Sequence, residues 1–258
     1  MQPVALTIAG SDPSGGAGIQ ADLKTFHQLG VFGEAAITLI TVQNTLGVQR
    51  VEVLAADLVE AQITSVLEDI PPQAGKLGAL GSVEIVRAVA RLASGFKFPL
   101  IVDPVMISKH GAPLLTSDAI HTMLKELVPH AYLLIPNLPE AAALTGKPVE
   151  TMDQMKEAAR ILAGYGARAV LVKGGHSPEP TSTDVLFYDG AFTEFPADRL
   201  ETKNTHGTGC TYSAAITGLL ASGLELRRAI LQAKRFITDA IRTNPGLGKG
   251  TGPVNHWV

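Results

Sequence analysis

The sequence predicts an α/β fold in which helices cover both faces of a mostly parallel sheet. Short, nearly continuous apolar runs alternate with longer segments of helical periodicity along most of the 258 residues. Strands that are buried on both faces carry such runs, and this alternation is typical of parallel sheets with crossover helices. The sequence contains no internal repeat, low-complexity tract or interdomain linker, so we expect one domain over residues 1–258.

Eight short apolar runs are predicted to be strands because they are too short for helices and are bounded by turn residues. The last two flank Asp189-Gly190, a pair that favours a tight hairpin. In chain order the predicted strands are 4–9, 34–42, 74–80, 100–102, 132–135, 169–172, 185–188 and 192–195. The carboxyl ends of the parallel strands should form one edge of the sheet, where ligands bind in such folds.

The segments between these strands carry apolar residues at helical spacing, and several begin with residues that cap helices. Asp57 and Ser82 stand where N-caps are expected. The spacing of Ile85, Val89 and Leu92 places one apolar face toward the sheet. In chain order the predicted helices are 17–29, 57–69, 82–92, 117–128, 138–144, 152–163, 211–221 and 226–242.

Composition narrows the class of protein. The chain is 46% hydrophobic and 17% charged, which suits a large core, and its formal net charge of -3 gives no support for binding nucleic acid. A single cysteine excludes an internal disulfide and a cysteine-rich zinc site. We see neither a basic leader segment nor an apolar stretch long enough to span a bilayer. A cytoplasmic protein with no membrane partner is expected.

The segment 204–210, with the sequence NTHGTGC, leads directly into the predicted helix 211–221. Gly207 and Gly209 allow a tight turn with unobstructed amides, and the first turn of a helix adds unpaired N–H groups at the positive end of a dipole. This combination favours an anion such as a phosphoryl group. Cys210 stands at that end, where we expect its pKa to fall so that the thiolate acts as a base. The alternative is a plain turn beside a small buried cysteine.

Two segments near the N-terminus are candidates for binding small molecules. The glycine-rich segment 10–18 indicates nucleotide binding, or else a turn required by backbone geometry, and it lacks the GxGxxG and P-loop patterns. Asp22, one turn into the next helix, is either a hydrogen-bond acceptor for a ligand or a solvated helix residue. The amide of Gln43 suits the edge of an aminopyrimidine, unless the segment is only a turn capped by Asn44.

Polar side chains also follow three later strands. Asp103 is a candidate magnesium ligand or charge partner, or it starts a turn before Pro104. Asn137 and Glu140 lie three residues apart at a helix start, so both can face one magnesium ion, and they also fit a capping box. Lys173 is placed to screen nucleotide phosphates, or it simply ends a strand.

Five segments together resemble the hydroxymethylpyrimidine/phosphomethylpyrimidine kinases of thiamine biosynthesis, which belong to the ribokinase-like superfamily. The resemblance extends over nearly the whole chain and includes the tail 248–254. The segments that carry it are GSDPSGGAGIQAD (10–22), QNT (43–45), NLPEA (137–141), KGGH (173–176) and KNTHGTGC (203–210).

The resemblance implies a three-layer α/β/α sandwich. It also implies ATP-dependent phosphorylation of 4-amino-5-hydroxymethyl-2-methylpyrimidine and then of its monophosphate, with Mg2+. By similarity, the residues fall into four groups: Gly10, Asp22, Gln43 and Val105 at the pyrimidine; Asn137 and Glu140 at the magnesium and phosphates; Lys173 and Thr208 near ATP; and Gly207, Gly209 and Cys210 in the anion hole, with Cys210 as the base.

One position departs from this pattern. Ala79 stands where the family commonly has Met, and the smaller side chain should widen the pyrimidine pocket. Pyridoxal or pyridoxine kinase is the nearest alternative, because some relatives with this cysteine also accept pyridoxal. The glycine spacing after the first strand argues against a nicotinamide-dependent oxidoreductase. The presence of Cys210 argues against a catalytically silent binding protein. A homodimer is expected. The loop 108–113 and the glycine-rich tail 246–253 are candidates for covering the site.

Overall fold

The computed structural model describes residues 2–107, 111, 114–176 and 181–258. Within these residues the strands form one nine-stranded sheet in the order β3-β2-β1-β4-β5-β6-β7-β8-β9, and those from β2 to β7 in this order are parallel. β3, β8 and β9 are antiparallel additions at its two edges. The bounds are β1 Val4–Ser11, β2 Phe32–Asn44, β3 Gly47–Val53, β4 Ala74–Leu77, β5 Leu100–Val102, β6 Leu133–Leu134, β7 Ala169–Val172, β8 Asp184–Tyr188 and β9 Ala191–Phe195.

Helices cover both faces of the sheet, as predicted. Alternate residues of each strand face opposite sides: Leu6 and Leu77 pack in one core with α2 to α6, whereas Ala5 and Ile101 pack against α1, α7 and α8. The α/β/α layering is therefore confirmed. The helices are α1 Gly18–Gln28, α2 Ala56–Asp69, α3 Val83–Ala93, α4 Ser117–Thr122, α5 Leu138–Thr145, α6 Met152–Ala163, α7 Thr208–Ala221 and α8 Leu226–Arg242.

Local capping and turn signals agree with the structure. Ser82 caps α3 by accepting a hydrogen bond from Ile85 N–H. Asn137 opens α5 with a complete capping box. Asp189 and Gly190 have φ angles of 50° and 75°, as a tight hairpin turn between β8 and β9 requires. These signals depend on neighbouring residues only, and this is why the sequence reveals them.

Several boundaries differ from the prediction. The sequence does not predict β3, because an edge strand that is exposed to solvent lacks a continuous apolar run. β2 extends to Asn44, so Gln43 lies within a strand and not in a turn. α2 has Ala55 at its N-cap, and Asp57 instead lies in the first turn, where its charge suits the helix dipole.

The predicted helix 117–128 is divided in the structure. α4 ends at Thr122, the chain continues as a π-helix over Met123–Leu127, and it ends in a 3-10 turn over Val128–His130. Pro129 lacks the N–H group that a longer α-helix would need. The candidate loop 108–113 lies outside the described residues except for Gly111. Among the described residues, no helix has the length and apolar character needed to cross a membrane.

Glu34 lies near the amino end of β2, at the opposite end of the strand from Gln43. Its side chain is buried, and Oε2 has no hydrogen-bond partner among the described residues. Burial, together with the negative charge of Asp69, raises the pKa of Glu34 to about 7. The ionised form is therefore penalised in the folded state, so stability should fall as pH rises from the unfolded-state pKa through about 7.

We expect Glu34→Gln to stabilise the protein relative to the wild type above neutral pH, by about 1–2 kcal/mol after allowance for solvent screening, and to have little such effect at about pH 5. Urea unfolding at both pH values measures the difference. Glu68→Gln, at an exposed position of α2, is the matched control and should show no such pH dependence. An equal effect of Glu34→Gln at the two pH values would contradict this prediction.

Candidate active site

A cavity of about 880 Å³ opens at the carboxyl ends of the parallel strands, the edge at which the sequence predicts ligand binding. It extends across the sheet from β2 to β8, so one small molecule can contact loops that are far apart in the chain. Asp22 is the one predicted site residue that does not line it. Those that do are Gly10, Gln43, Val105, Asn137, Glu140, Lys173, Gly207, Thr208, Gly209 and Cys210.

The predicted anion loop packs tightly against the glycine-rich segment 10–18. Gly207 has a φ of +79°, and a Cβ at this position would lie 1.7 Å from the carbonyl oxygen of Gly16, so only glycine fits. Gly207 is the N-cap of α7, which therefore begins three residues earlier than predicted. Thr208, Gly209 and Cys210 form its first turn, whose N–H groups have no intrahelical acceptor. This geometry suits an anion at the positive end of the helix.

Cys210 lines the cavity, but its ionisation differs from the expectation. Burial raises the pKa of the thiol to about 11; the positive charge of Lys76 and a hydrogen bond from Gly18 N–H oppose the rise, and Asp22 and Asp103 add to it. The predicted fall in pKa is therefore wrong, because desolvation outweighs the helix terminus here. At neutral pH the resting form is the thiol.

Asp22 lies on the buried side of α1 and faces the sheet, and both it and Lys76 have fully buried side chains. Its Oδ1 is 2.8 Å from Lys76 Nζ, and its Oδ2 accepts a hydrogen bond of 2.6 Å from Thr7 Oγ1. Lys76 and Thr7 are paired across β4 and β1 and point to the same face. Asp22 therefore ties α1 to the sheet beneath the cavity and does not reach its surface.

Lys173 is held by a second buried ion pair. Its Nζ lies 2.8 Å from Asp103 Oδ1, and Ser213 Oγ on α7 donates to Asp103 Oδ2 at 3.1 Å. A Cβ built on Gly209 would lie 3.7 Å from both Lys173 Nζ and Asp103 Oδ2, which places the pair directly beside the anion loop. Although burial opposes it, the charges of Asp103 and Glu140 raise the pKa of Lys173, so this residue is a cation.

Asn137 and Glu140 form the reciprocal capping box at the start of α5. Glu140 Oε2 accepts from Asn137 N–H at 2.8 Å, and Asn137 Oδ1 accepts from Glu140 N–H at 2.9 Å. Burial raises the pKa of Glu140 to about 7; Lys173 opposes the rise and Asp103 adds to it. Asp103 and Glu140 are both buried, and carboxylate oxygens of this kind fit a cation that keeps water and phosphate ligands. The described residues contain no cluster of three or more His, Cys, Asp or Glu side chains placed for metal binding.

The part of the cavity beside β1, β2 and β4 contains two polar residues that the sequence interpretation missed. Asp12 and His206 are both buried, and His206 Nε2 lies 2.7 Å from Asp12 Oδ2. The amide nitrogen Nε2 of Gln43 lies 3.2 Å from the same ring nitrogen. Both residues occur within segments that the sequence singles out. Those segments are distinguished by their glycines, and nothing in the sequence pairs Asp12 with His206.

The part beside β8 contains a third buried ion pair that the sequence interpretation missed. Lys234 Nζ on α8 lies 2.8 Å from Asp184 Oδ2, to which Tyr212 Oη also donates at 2.9 Å. Asp184 Oδ1 accepts from Gly174 N–H at 2.8 Å, which fixes the chain directly after Lys173. No sequence signal joins these residues, because they come from four different elements.

The C-terminal tail packs onto the site. Thr251 N–H donates to Thr45 O, and His206 N–H donates to Gly252 O, so the tail bridges the end of β2 and the anion loop. Val254 N–H returns a hydrogen bond to His206 O. The tail is therefore held against two segments that border the cavity.

The fold and the site define an α/β phosphotransferase for small molecules, with an anion loop at a helix N-terminus beside a buried lysine. The family model for Phosphomethylpyrimidine kinase matches residues 12–255. The hydroxymethylpyrimidine/phosphomethylpyrimidine kinase of Bacillus subtilis is 46% identical over 98% of this chain and 94% of its own length. The chain belongs to this family.

Two further comparisons refine this result. The thiamine biosynthesis bifunctional protein ThiED of Geobacter sulfurreducens is 48% identical over 97% of this chain, which spans 51% of that protein. The structure of Bacillus subtilis pyridoxal kinase in an ADP complex superimposes with a TM-score of 0.92 at 37% identity, covering 99% of this chain and 98% of that one. The ribokinase-like fold that the resemblance implies is confirmed.

We expect Asp22→Asn to destabilise the protein by about 3–5 kcal/mol, because it leaves the buried charge of Lys76 without its partner. The double variant Asp22→Leu/Lys76→Met removes both charges and should lose less stability than Asp22→Asn. Urea unfolding measures both. Glu52→Gln, which breaks the exposed pair between Arg50 and Glu52, is the control and should change stability by less than about 1 kcal/mol. A loss for Asp22→Asn as small as for this control would contradict the prediction.

Proposed function

We propose that this protein phosphorylates 4-amino-5-hydroxymethyl-2-methylpyrimidine with ATP and then phosphorylates the monophosphate. The observation that carries the proposal is the shared cavity of Cys210, the first turn of α7 and Gln43, whose amide suits an aminopyrimidine. Family membership supports both acceptors, because the Bacillus subtilis relative is named for both. The name of the Geobacter relative supports a role in thiamine biosynthesis.

In the proposed first step, the hydroxymethyl oxygen attacks the γ-phosphorus of ATP in line, the bond to the β-phosphate oxygen breaks, and ADP leaves. The hydroxyl proton passes to the sulfur of Cys210 in its thiolate form, which returns to the thiol. The amides of Gly209 and Cys210, the dipole of α7 and the charge of Lys173 stabilise the transferred group. Positioning and charge stabilisation provide most of the acceleration, and the base adds about a hundred- to ten-thousand-fold.

The second acceptor differs from the first in its ionisation. A phosphate monoester carries about 1.5 to 2 negative charges at neutral pH, so its attacking oxygen needs no base. With a pKa of about 11, Cys210 is mostly protonated at that pH. The proposed base role therefore concerns the first phosphorylation, and turnover of the alcohol should rise with pH as the thiolate forms.

ATP would bind across the part of the cavity beside Lys173 and Thr208. The ADP complex of the pyridoxal kinase that shares this fold supports nucleotide use. Glu140 and Asn137 would hold Mg2+, with Asp103 close by. When bound, the ion supplies charge neutralisation at the phosphates. The position of Asn137, Glu140, Asp103 and Lys173 together in the lining of the cavity supports this assignment.

Pyridoxal or pyridoxine is the alternative acceptor. The observation that favours it is the TM-score of 0.92 to a pyridoxal kinase, together with the small Ala79 in the cavity wall. An ATP-coupled assay with hydroxymethylpyrimidine, its monophosphate and pyridoxal, side by side, tests the proposal. We expect the highest kcat/KM on the pyrimidines, and faster turnover of pyridoxal than of either pyrimidine would overturn the assignment.

We also propose a homodimer, a cytoplasmic location and a single catalytic domain. The hairpin of β2 and β3 exposes the apolar side chains of Ile40, Val42, Leu46 and Val53 at one edge of the sheet. A second copy covering this edge would remove them from water. Light scattering in solution should give the mass of two chains, and a monomer at micromolar concentration would contradict the dimer.

We expect Cys210→Ala to lower kcat on hydroxymethylpyrimidine about a hundred- to ten-thousand-fold, with little change in KM for ATP. Turnover of the monophosphate by the same variant should fall much less, because that acceptor is already ionised. Cys210→Asp should retain part of the first activity, since a carboxylate can also take the proton. Steady-state kinetics on both acceptors check this, and an equal loss on the two would refute the base role.

A further inference from the structure

His206 joins three parts of the site through one buried ring nitrogen. Its side chain is 3% exposed, and Nε2 lies 2.7 Å from Asp12 Oδ2 and 3.2 Å from the amide nitrogen Nε2 of Gln43. Asp12 belongs to the loop after β1, Gln43 to the end of β2, and His206 to the anion loop. The main chain of His206 is fixed by hydrogen bonds with Gly252 and Val254.

The hydrogen-bond partners of Asp12 determine whether Nε2 of His206 carries a proton. Oδ1 of Asp12 accepts hydrogen bonds from Ser14 N–H at 2.9 Å and from Ser14 Oγ at 2.7 Å, and Oδ2 accepts from Ala17 N–H at 2.9 Å. Burial opposes ionisation, but the hydrogen bonds from His206 and Ser14 outweigh it and lower the pKa of Asp12. Asp12 is therefore an ionised carboxylate that can only accept, so Nε2 of His206 must carry a proton and donate.

This donor decides which end of the Gln43 amide faces it. A protonated ring nitrogen cannot accept a hydrogen bond from the NH2 group of Gln43, whereas it can share its proton with the carbonyl oxygen. The two ends of a side-chain amide have nearly the same shape, so the hydrogen-bond network selects between them. The amide nitrogen of Gln43 faces His206 in the structure, which would bring two donors together, so the hydrogen-bond network requires the reversed amide. Oε1 then faces His206, and the NH2 group faces the cavity.

We propose that His206, held by Asp12, is a specificity-determining residue that locks the Gln43 amide with its NH2 group toward the substrate. The inference rests on the proposed function and deepens it. The locked amide presents a fixed donor, so the ring edge that meets it must offer a lone pair, as a ring nitrogen of an aminopyrimidine does. The second lone pair of Oε1 remains for the neighbouring exocyclic amine.

Binding of a matched pair of ligands in the absence of ATP tests the proposal. The pair is hydroxymethylpyrimidine and the aminopyridine in which the ring nitrogen next to the amine-bearing carbon is replaced by C–H. We expect the wild type to prefer the pyrimidine roughly tenfold, the value of one good hydrogen bond. His206→Leu and Gln43→Leu should each abolish this preference, and the double variant should lose no more than either one. His206→Gln, which keeps a donor, should restore most of it.

Other outcomes would overturn the proposal. If His206→Leu weakens both ligands equally, or if the two substitutions add independently, His206 has only a structural role. A second measurement needs no variant: in the wild-type protein bound to 15N-labelled hydroxymethylpyrimidine, NMR should show a scalar coupling across the hydrogen bond between the Gln43 amide nitrogen and the ring nitrogen. Absence of this coupling in a saturated complex would also overturn the proposal. Failure of the proposed function is distinguishable, since the wild type would then not phosphorylate the pyrimidine at all.

Discussion

The close contact between two glycine-rich loops, 10–18 and 204–210, is the constraint on which the active site depends. Gly207 meets the carbonyl of Gly16, and a Cβ on Gly18 would lie only 2.3 Å from the carbonyl oxygen of Gly10. Because side chains are absent at these points, the N-termini of α1 and α7 converge, and Gly18 N–H reaches the sulfur of Cys210. The thiol, the anion-binding amides and the substrate-binding edge thereby share one cavity.

Buried charge pairs hold the groups around this contact. Lys76 with Asp22, Lys173 with Asp103 and Lys234 with Asp184 each join parts of the chain that are distant in sequence, and His206 with Asp12 joins the two loops. Burying a charge pair is a poor source of stability, because desolvation offsets most of the attraction. We therefore interpret these pairs as fixing geometry and electrostatics. Burial is the main reason why the pKa values of Cys210 and Glu140 are raised; the lysines of these pairs oppose the rise, and the neighbouring carboxylates add to it.

The predictable parts of the site are those whose signals are local in sequence. The capping box of Asn137 and Glu140, the turn at Gly207 and the position of Lys173 after a buried strand each depend on a few adjacent residues. Asp22 shows the limit of this reasoning: its place one turn into α1 was compatible with a ligand contact, but the register between β1 and β4 directs Lys76 and Thr7 toward it instead. Asp184 and Lys234 gave no signal, because their meeting depends on the packing of α8 against β8.

The sequence by itself determined the α/β class, most strands and helices, the anion loop and the family, because periodicity, glycine-rich turns and long motifs are properties of contiguous residues. Tertiary structure decided which polar side chains reach the cavity, which ones pair beneath it, and how Cys210 ionises. Those outcomes depend on distances between residues far apart in the chain and on how much water the packed layers exclude. Neither the distances nor the excluded water can be inferred from the spacing of residues along the sequence.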